Sequence, residues 1–262
     1  MKPIFKQNTP AIFLIAGLIG VIAFFSLTYE NKIRETKKSA SRADLINSSQ
    51  DQSLQKFSLT GFDDKGKTFW NLVGETAKID SSQTVFLDQN VVLKLKDDTL
   101  IKTDHVRWSQ EEGVLKTTAP VFVTHKDVKI QGVGAVGKPS ESFVQLNRNI
   151  EMDIKPGTHL SCQGPMKIFY KDNKIIVYRK VKITDDRGVV TANRMDVFFD
   201  PNEKKIRQIV AIGNVTIERG TDTTHSQRAI YSVATGSIRL EGNPEITLHK
   251  ESSKILDAPF RN

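Results

Sequence analysis

The segment Ala211-Ile212-Gly213-Asn214-Val215-Thr216-Ile217-Glu218 is one of six related runs in the chain. That recurrence restricts the fold to stacked repeats. Taking the residue aligned with Val215 as the anchor of each run gives Val91, Val121, Ile150, Val181, Val215 and Pro244, spaced 30, 29, 31, 34 and 29 residues apart. A unit this short cannot bury its own apolar side and has to cover it with its neighbours.

The side chains inside the units identify the repeating element. Six residues before each anchor stand Val85, Leu115, Val144, Ile175, Ile209 and Ile238. Four before stand Leu87, Thr117, Leu146, Val177, Ala211 and Leu240, and two after stand Leu93, Val123, Met152, Ile183, Ile217 and Ile246. All these offsets are even, and among them only Thr117 breaks the apolar rule. A period of two over short β-branched runs predicts strands with one buried face. Odd positions carry Lys94, Glu151, Lys182, Thr216 and Glu245, which belong in water. Turn formers separate the strands at Asp97-Asp98, Lys171-Asp172-Asn173, Asp185-Asp186-Arg187-Gly188 and Asp200-Pro201-Asn202, and Gly213-Asn214 also reads as a turn. A stacked sheet with one apolar face must close over that face. The expectation is therefore all-β: repeated antiparallel strands forming an elongated two-walled jelly roll.

The front of the chain is of another kind. Residues 8–29 carry no charge, and 11–27 are almost wholly apolar, close to the ~20 residues that a membrane-spanning helix requires. A cleavable signal peptide is the rival reading, but it needs small residues after the apolar run, where this chain has Phe24-Phe25-Ser26-Leu27-Thr28-Tyr29. We expect an uncleaved anchor. Lys2 and Lys6 favour a cytoplasmic N-terminus, Lys32, Arg34, Lys37 and Lys38 pull the other way, and the β-rich body favours export. The expected layout is 1–29 cytoplasmic N-terminus and transmembrane helix, 30–53 polar tether, and a folded body from Leu54.

The net charge of +8 invites an anionic partner. Nucleic acid is not expected, since no Lys/Arg cluster interleaved with aromatics appears. Cys162 is the only cysteine, so no internal disulfide forms. His105, His125, His159, His225 and His249 fall in different units without ligand-like spacing, and the paired aspartates sit at turns. No Gly-rich phosphate loop, G-x-S-x-G elbow or HExxH is present. We expect no metal, no cofactor and no catalysis.

The run F-S-L-T-G-F-D-D-K-G-K-T-F-W-N-L from Phe57 to Leu72 resembles the opening of the LptC family, the membrane-anchored component of lipopolysaccharide export. Later runs, A-I-G-N-V-T-I-E and A-I-Y-S-V-A-T-G-S-I-R-L-E-G-N-P-E-I-T-L, resemble the OstA-type repeat of its soluble periplasmic partner, LptA. The chain is longer than the usual LptC member by about two repeats, as if both components were joined end to end. The resemblance implies an LptC-like jelly roll over 54–193 and LptA/OstA-like repeats over 194–262. It implies inner-membrane localisation with the body in the periplasm. The implied partners are lipopolysaccharide, an inner-membrane ABC transporter complex, and a soluble periplasmic bridge protein of the same fold or another copy. The acyl chains would lie in an apolar trough lined by Val91, Leu93, Val121, Val123, Ile150, Met152, Val181, Ile183, Val215 and Ile217. The alternative is a membrane-tethered structural scaffold whose same residues are plain packing.

Overall fold

The computed structural model describes residues 52–62, 66, 68–80, 84–95, 98–109, 111–138, 141–169, 171–202 and 205–248. The expected membrane span and nearly all of the tether lie outside these residues. No helix among the described residues is long and apolar enough to cross a membrane.

Fifteen strands follow one another. They are β1 (Gln52–Phe62), β2 (Thr68–Ile79), β3 (Thr84–Leu95), β4 (Leu100–Ser109), β5 (Val114–His125), β6 (Val128–Lys138), β7 (Phe143–Ile154) and β8 (Thr158–Cys162). Then come β9 (Met166–Phe169), β10 (Lys174–Asp185), β11 (Gly188–Phe199), β12 (Ile206–Arg219), β13 (Asp222–Ser232), β14 (Ser237–Glu241) and β15 (Glu245–Thr247). The first begins at Gln52, two residues before the expected start of the body. They form a single sheet in which sequence neighbours pair antiparallel, except that β8 and β9 share one place between β7 and β10 and that β14 and β15 both pair with β13. Each unit is thus a hairpin: an anchor-bearing strand and a return strand. This is the elongated, jelly-roll-like, all-β architecture expected from the period.

Gly213-Asn214 is not a turn but the middle of β12. Both residues have positive φ, as do Gln89-Asn90, Arg179-Lys180 and Gly242-Asn243 at the corresponding places. The pairing Ile212↔Arg228 is followed by Val215↔Ser226, so Gly213 and Asn214 together oppose Gln227 alone. The same two-against-one step occurs at Gln89-Asn90 opposite Asp104 and at Arg179-Lys180 opposite Asn193. A bulge bends its strand and sharpens the local twist. Register breaks of this kind recur in the ladders from β2 to β13, so the bends line up across the sheet as a fold line. The sheet doubles over along that line and covers its own apolar face.

Two positions on the line require glycine on two counts. Gly213 has φ +77, and a Cβ there would stand 2.9 Å from Asn193 Nδ2. Gly242 also has φ +77, and its Cβ would stand 2.6 Å from Gln227 Cβ. In each case the side chain met is the residue that alone opposes the preceding unit's bulge: Asn193 faces Arg179-Lys180 and Gln227 faces Gly213-Asn214.

Candidate functional site: the apolar face inside the folded sheet

The four even offsets lie at four depths. The rows four before the anchor and at the anchor flank the fold line, and the other two rows approach the hairpin ends. Burial follows depth. Val91, Val121, Ile150, Val181 and Val215 are all buried, Val181 completely at 0% exposure. Leu87, Leu146, Val177 and Ala211, on the other side of the line, are buried too. Further out, Leu93, Val123, Ile183, Ile217, Leu115, Val144 and Ile209 are only half-buried. The outer exceptions are Val85, Met152 and Ile175, which are buried.

The ten expected lining residues therefore share one face but divide in two. The anchors form a packed floor, Val91 in one apolar cluster and Val121, Ile150, Val181 and Val215 in a larger one, which also holds Met152. Val123, Ile183 and Ile217 pack against that larger cluster from outside, and Leu93 pairs with Leu72 and Ile101. The rule fails in the last unit, where Ile238 and Ile246 are exposed, Ile246 at 62%. Pro244 falls between β14 and β15, and among the described residues no later strand covers this end of the face.

Half of the face comes from return strands that the repeat motif does not mark. Register carries the inward face across each hairpin. Ile101, Thr103, Val106 and Trp108 lie opposite Leu93, Val91, Leu87 and Val85. Val190, Ala192, Met195 and Val197 lie opposite Ile183, Val181, Val177 and Ile175. Their signal was available in the turn positions, which fix the hairpin pairing.

Thr117, the one polar residue at an even offset, is buried and lies 3.4 Å from Thr103 across the hydroxyls. The pair falls between the two apolar clusters, with Val91, Leu87 and Trp108 on one side and Val121 on the other.

The outward face carries the charge. Asp196 is buried there, held by both ends of the Arg194 guanidinium at 2.6 and 2.7 Å and by Lys174 Nζ at 3.2 Å. Arg194 also lies 5.3 Å from the Tyr178 ring centre. A buried carboxylate with two cationic partners avoids the cost of an uncompensated charge. The positive surplus is uneven: residues 155–248 hold fifteen Lys/Arg against ten Asp/Glu, whereas 52–154 hold thirteen against fourteen. Among the described residues no group of three or more His, Cys, Asp or Glu is placed to hold a metal ion. Cys162 lies on the inward face, and its burial pushes the thiol up to about 11 despite a hydrogen bond with the Gly164 backbone and the nearby Arg179 charge.

Residues 18–154 match the family described as lipopolysaccharide-assembly, LptC-related. Residues 166–257 match the LptA/(LptD N-terminal domain) LPS transport protein family. Among solved structures, the crystal structure of LptH is similar to this chain; it is the LptA homologous periplasmic component of the conserved lipopolysaccharide transport device from Pseudomonas aeruginosa. That likeness covers 58% of this chain and 94% of that one, at 11% identity and a TM-score of 0.26. No curated protein matches the chain.

Proposed function

The chain belongs to the LptC-related family of lipopolysaccharide-assembly proteins, with an LptA-like C-terminal part, and from that premise we propose how its two parts work together. The protein is a non-catalytic carrier. It accepts lipopolysaccharide from an inner-membrane ABC transporter at the N-terminal end and passes it along the apolar trough toward a downstream bridge. Residues 11–29 anchor it in the inner membrane, and the folded body stands in the periplasm.

The observation that carries this reading is the burial gradient. The floor of the folded sheet is sealed, while Leu93, Val123, Ile183 and Ile217 further from the fold line are only half-buried and keep apolar surface accessible. Each acyl methylene placed against such surface gains ~0.8 kcal/mol. The surplus of cations in residues 155–248 suits the phosphorylated sugars of the same lipid. Because β7, β8, β9 and β10 are joined in one ladder, the passage from the LptC-like part to the LptA-like part is made within one chain. A separate bridge is needed only beyond β15.

Photo-crosslinking in cells that express the full-length chain tests the reading. A crosslinking residue at Val123, Ile183 or Ile217 is expected to capture lipopolysaccharide, and one at Lys94 or Lys182 is not. Equal capture by both sets, or by neither, favours the membrane-tethered scaffold instead.

A further inference from the structure

The apolar face is not equally open along the stack. Toward the N-terminal end the outer rows hold half-buried Leu93, Ile101, Leu115 and Val123. Toward the C-terminal end they hold half-buried Val190, Ile209 and Ile217. Between these stretches, on β7 to β10, the outer rows shut: Met152, Leu160, Ile168 and Ile175 are all buried, and only Val144 and Ile183 keep partial exposure.

The closed stretch differs in composition and in backbone. The chain has four methionines, and three of them gather at this stretch: Met152 at 2% exposure in an outer row of β7, Met166 at 0% on β9 and Met195 at 1% on the adjacent β11, the last two in the row four before the anchor. All three belong to the larger apolar cluster. Met166 pairs with Leu146 and Val177, Val177 pairs with Met195, and Met152 pairs with Leu160. Here, too, the inner strand is interrupted. β8 has 5 residues and β9 has 4, flanking Gly164-Pro165, between neighbours of 12. β10 meets them only over Lys182–Thr184 and Lys174–Val177. The closure lies where the two family matches meet, between residues 154 and 166.

We propose that Met152, Met166 and Met195 form a constriction, opened by the acyl chains of the passing lipid, that controls transfer from the LptC-like part of the trough to the LptA-like part. The inference rests on the conduit reading above. A packed interior leaves no room for a chain unless side chains move. Methionine is the apolar residue suited to that movement, being unbranched, with three rotatable bonds, and able to refill irregular space. Between the short β8 and β9 the backbone of Gln163–Pro165 bonds to Asn149, Tyr178 and Arg179, so the wall stays paired while the methionine side chains move. The three methionines thereby act as the residues that decide how readily lipid passes.

The test uses the full-length chain as the only copy in cells, with a crosslinking residue at Val123 or at Ile217 and lipopolysaccharide adducts counted at each. Replacing all three methionines by leucine conserves volume and stiffens the site. The adduct at Val123 is expected to stay unchanged, which also reports folding, while that at Ile217 falls by about threefold or more. A second variant staples the wall: Leu160→Cys with Ile183→Cys, a registered pair, in a Cys162→Ser background. Oxidation is expected to abolish the Ile217 adduct and keep that at Val123, with recovery on adding dithiothreitol. If both adducts persist unchanged in every variant, the constriction is overturned while the conduit stands. If no adduct forms at either position in the unmodified chain, the conduit reading falls and the constriction with it.

Discussion

Thr103 Oγ1 lies 3.4 Å from Thr117 Oγ1 on an inward face built mostly of apolar side chains, and Thr117 Oγ1 also accepts the Ala119 N–H at 3.1 Å. The two residues are therefore unequal. Thr117→Val removes the acceptor of a backbone N–H on a buried residue, and such an orphan costs about 1–3 kcal/mol. Thr103→Val removes only one side of a long contact and is expected to shift stability by less than about 1 kcal/mol. Urea unfolding of the detergent-extracted full chain reads both. Equal destabilisation by the two changes would show that the Ala119 bond is not the deciding term.

The fold line gives a second prediction. Gly213→Ala forces a side chain into a left-handed position and against Asn193, so it is expected to destabilise by more than about 1 kcal/mol. Adding Asn193→Ala removes the Nδ2 contact at 2.9 Å but leaves the Cβ at 3.2 Å and the backbone strain, so the double variant recovers only part of the loss. Full recovery would mean that the close approach alone demands glycine.

These two positions also mark what sequence could and could not convey. The anchor strands were legible because Val181, Val215 and their even-offset neighbours are β-branched and apolar. The return strands were not, because Thr103, Gly132, Ala135, Ala192 and Ser226 share the inward register without an apolar signature. Gly213-Asn214 has the composition of a hairpin turn, and only its pairing with Gln227 on β13 reveals a mid-strand bulge. The floor-and-rim division of the lining depends on depth below the fold line, which offset parity cannot encode. Exposure of Ile246 follows from its place on β15, which pairs only with β13 among the described residues, a property of position rather than of the residue.

Asp185 carries a pH dependence. Burial works to raise its carboxyl, but hydrogen bonds from the Arg187 side chain and backbone and the Arg187 charge outweigh it, holding the group below its ordinary 3.8. A depressed carboxylate stabilises the fold above the unfolded value and loses that contribution as pH falls through the folded one. Asp185→Asn is accordingly expected to be less stable than the parent at neutral pH, with the gap narrowing only below 3.8. Thermal unfolding between pH 7 and pH 2 measures it. A gap already gone by pH 5 assigns the stabilisation to another group.

Cys162 offers a chemical check on the interior. With its thiol pushed up to about 11 and its side chain buried, it is a poor nucleophile at neutral pH. Iodoacetamide is expected to leave it unmodified in the native chain at pH 7.5 and to label it fully in urea. Labelling in the native state would show that the wall around β8 opens on its own, without lipid.

The last prediction concerns the far edge of the sheet. Among the described residues β14 and β15 pair only with β13, on one side, and Ile238, Ile246 and Leu248 stand exposed beside them. A sheet edge with apolar side chains is a template for another strand. We expect the first strand of a partner with the same fold to pair here, either a soluble bridge or a second copy, extending the trough end to end. Pro244 restricts pairing at the break but leaves Glu245–Thr247 free to extend the ladder. Deleting residues 241–262 is expected to abolish capture of the same-fold partner in pull-downs while leaving the lipid adduct at Val123 intact. Ile246→Lys, at a site with no buried contacts to lose, is expected to weaken capture with little change in stability, since it removes an apolar contact worth about 1–3 kcal/mol only when docked. Capture that survives both changes, or a partner that crosslinks at residues 57–62 on β1 instead, reverses the polarity of the assembly.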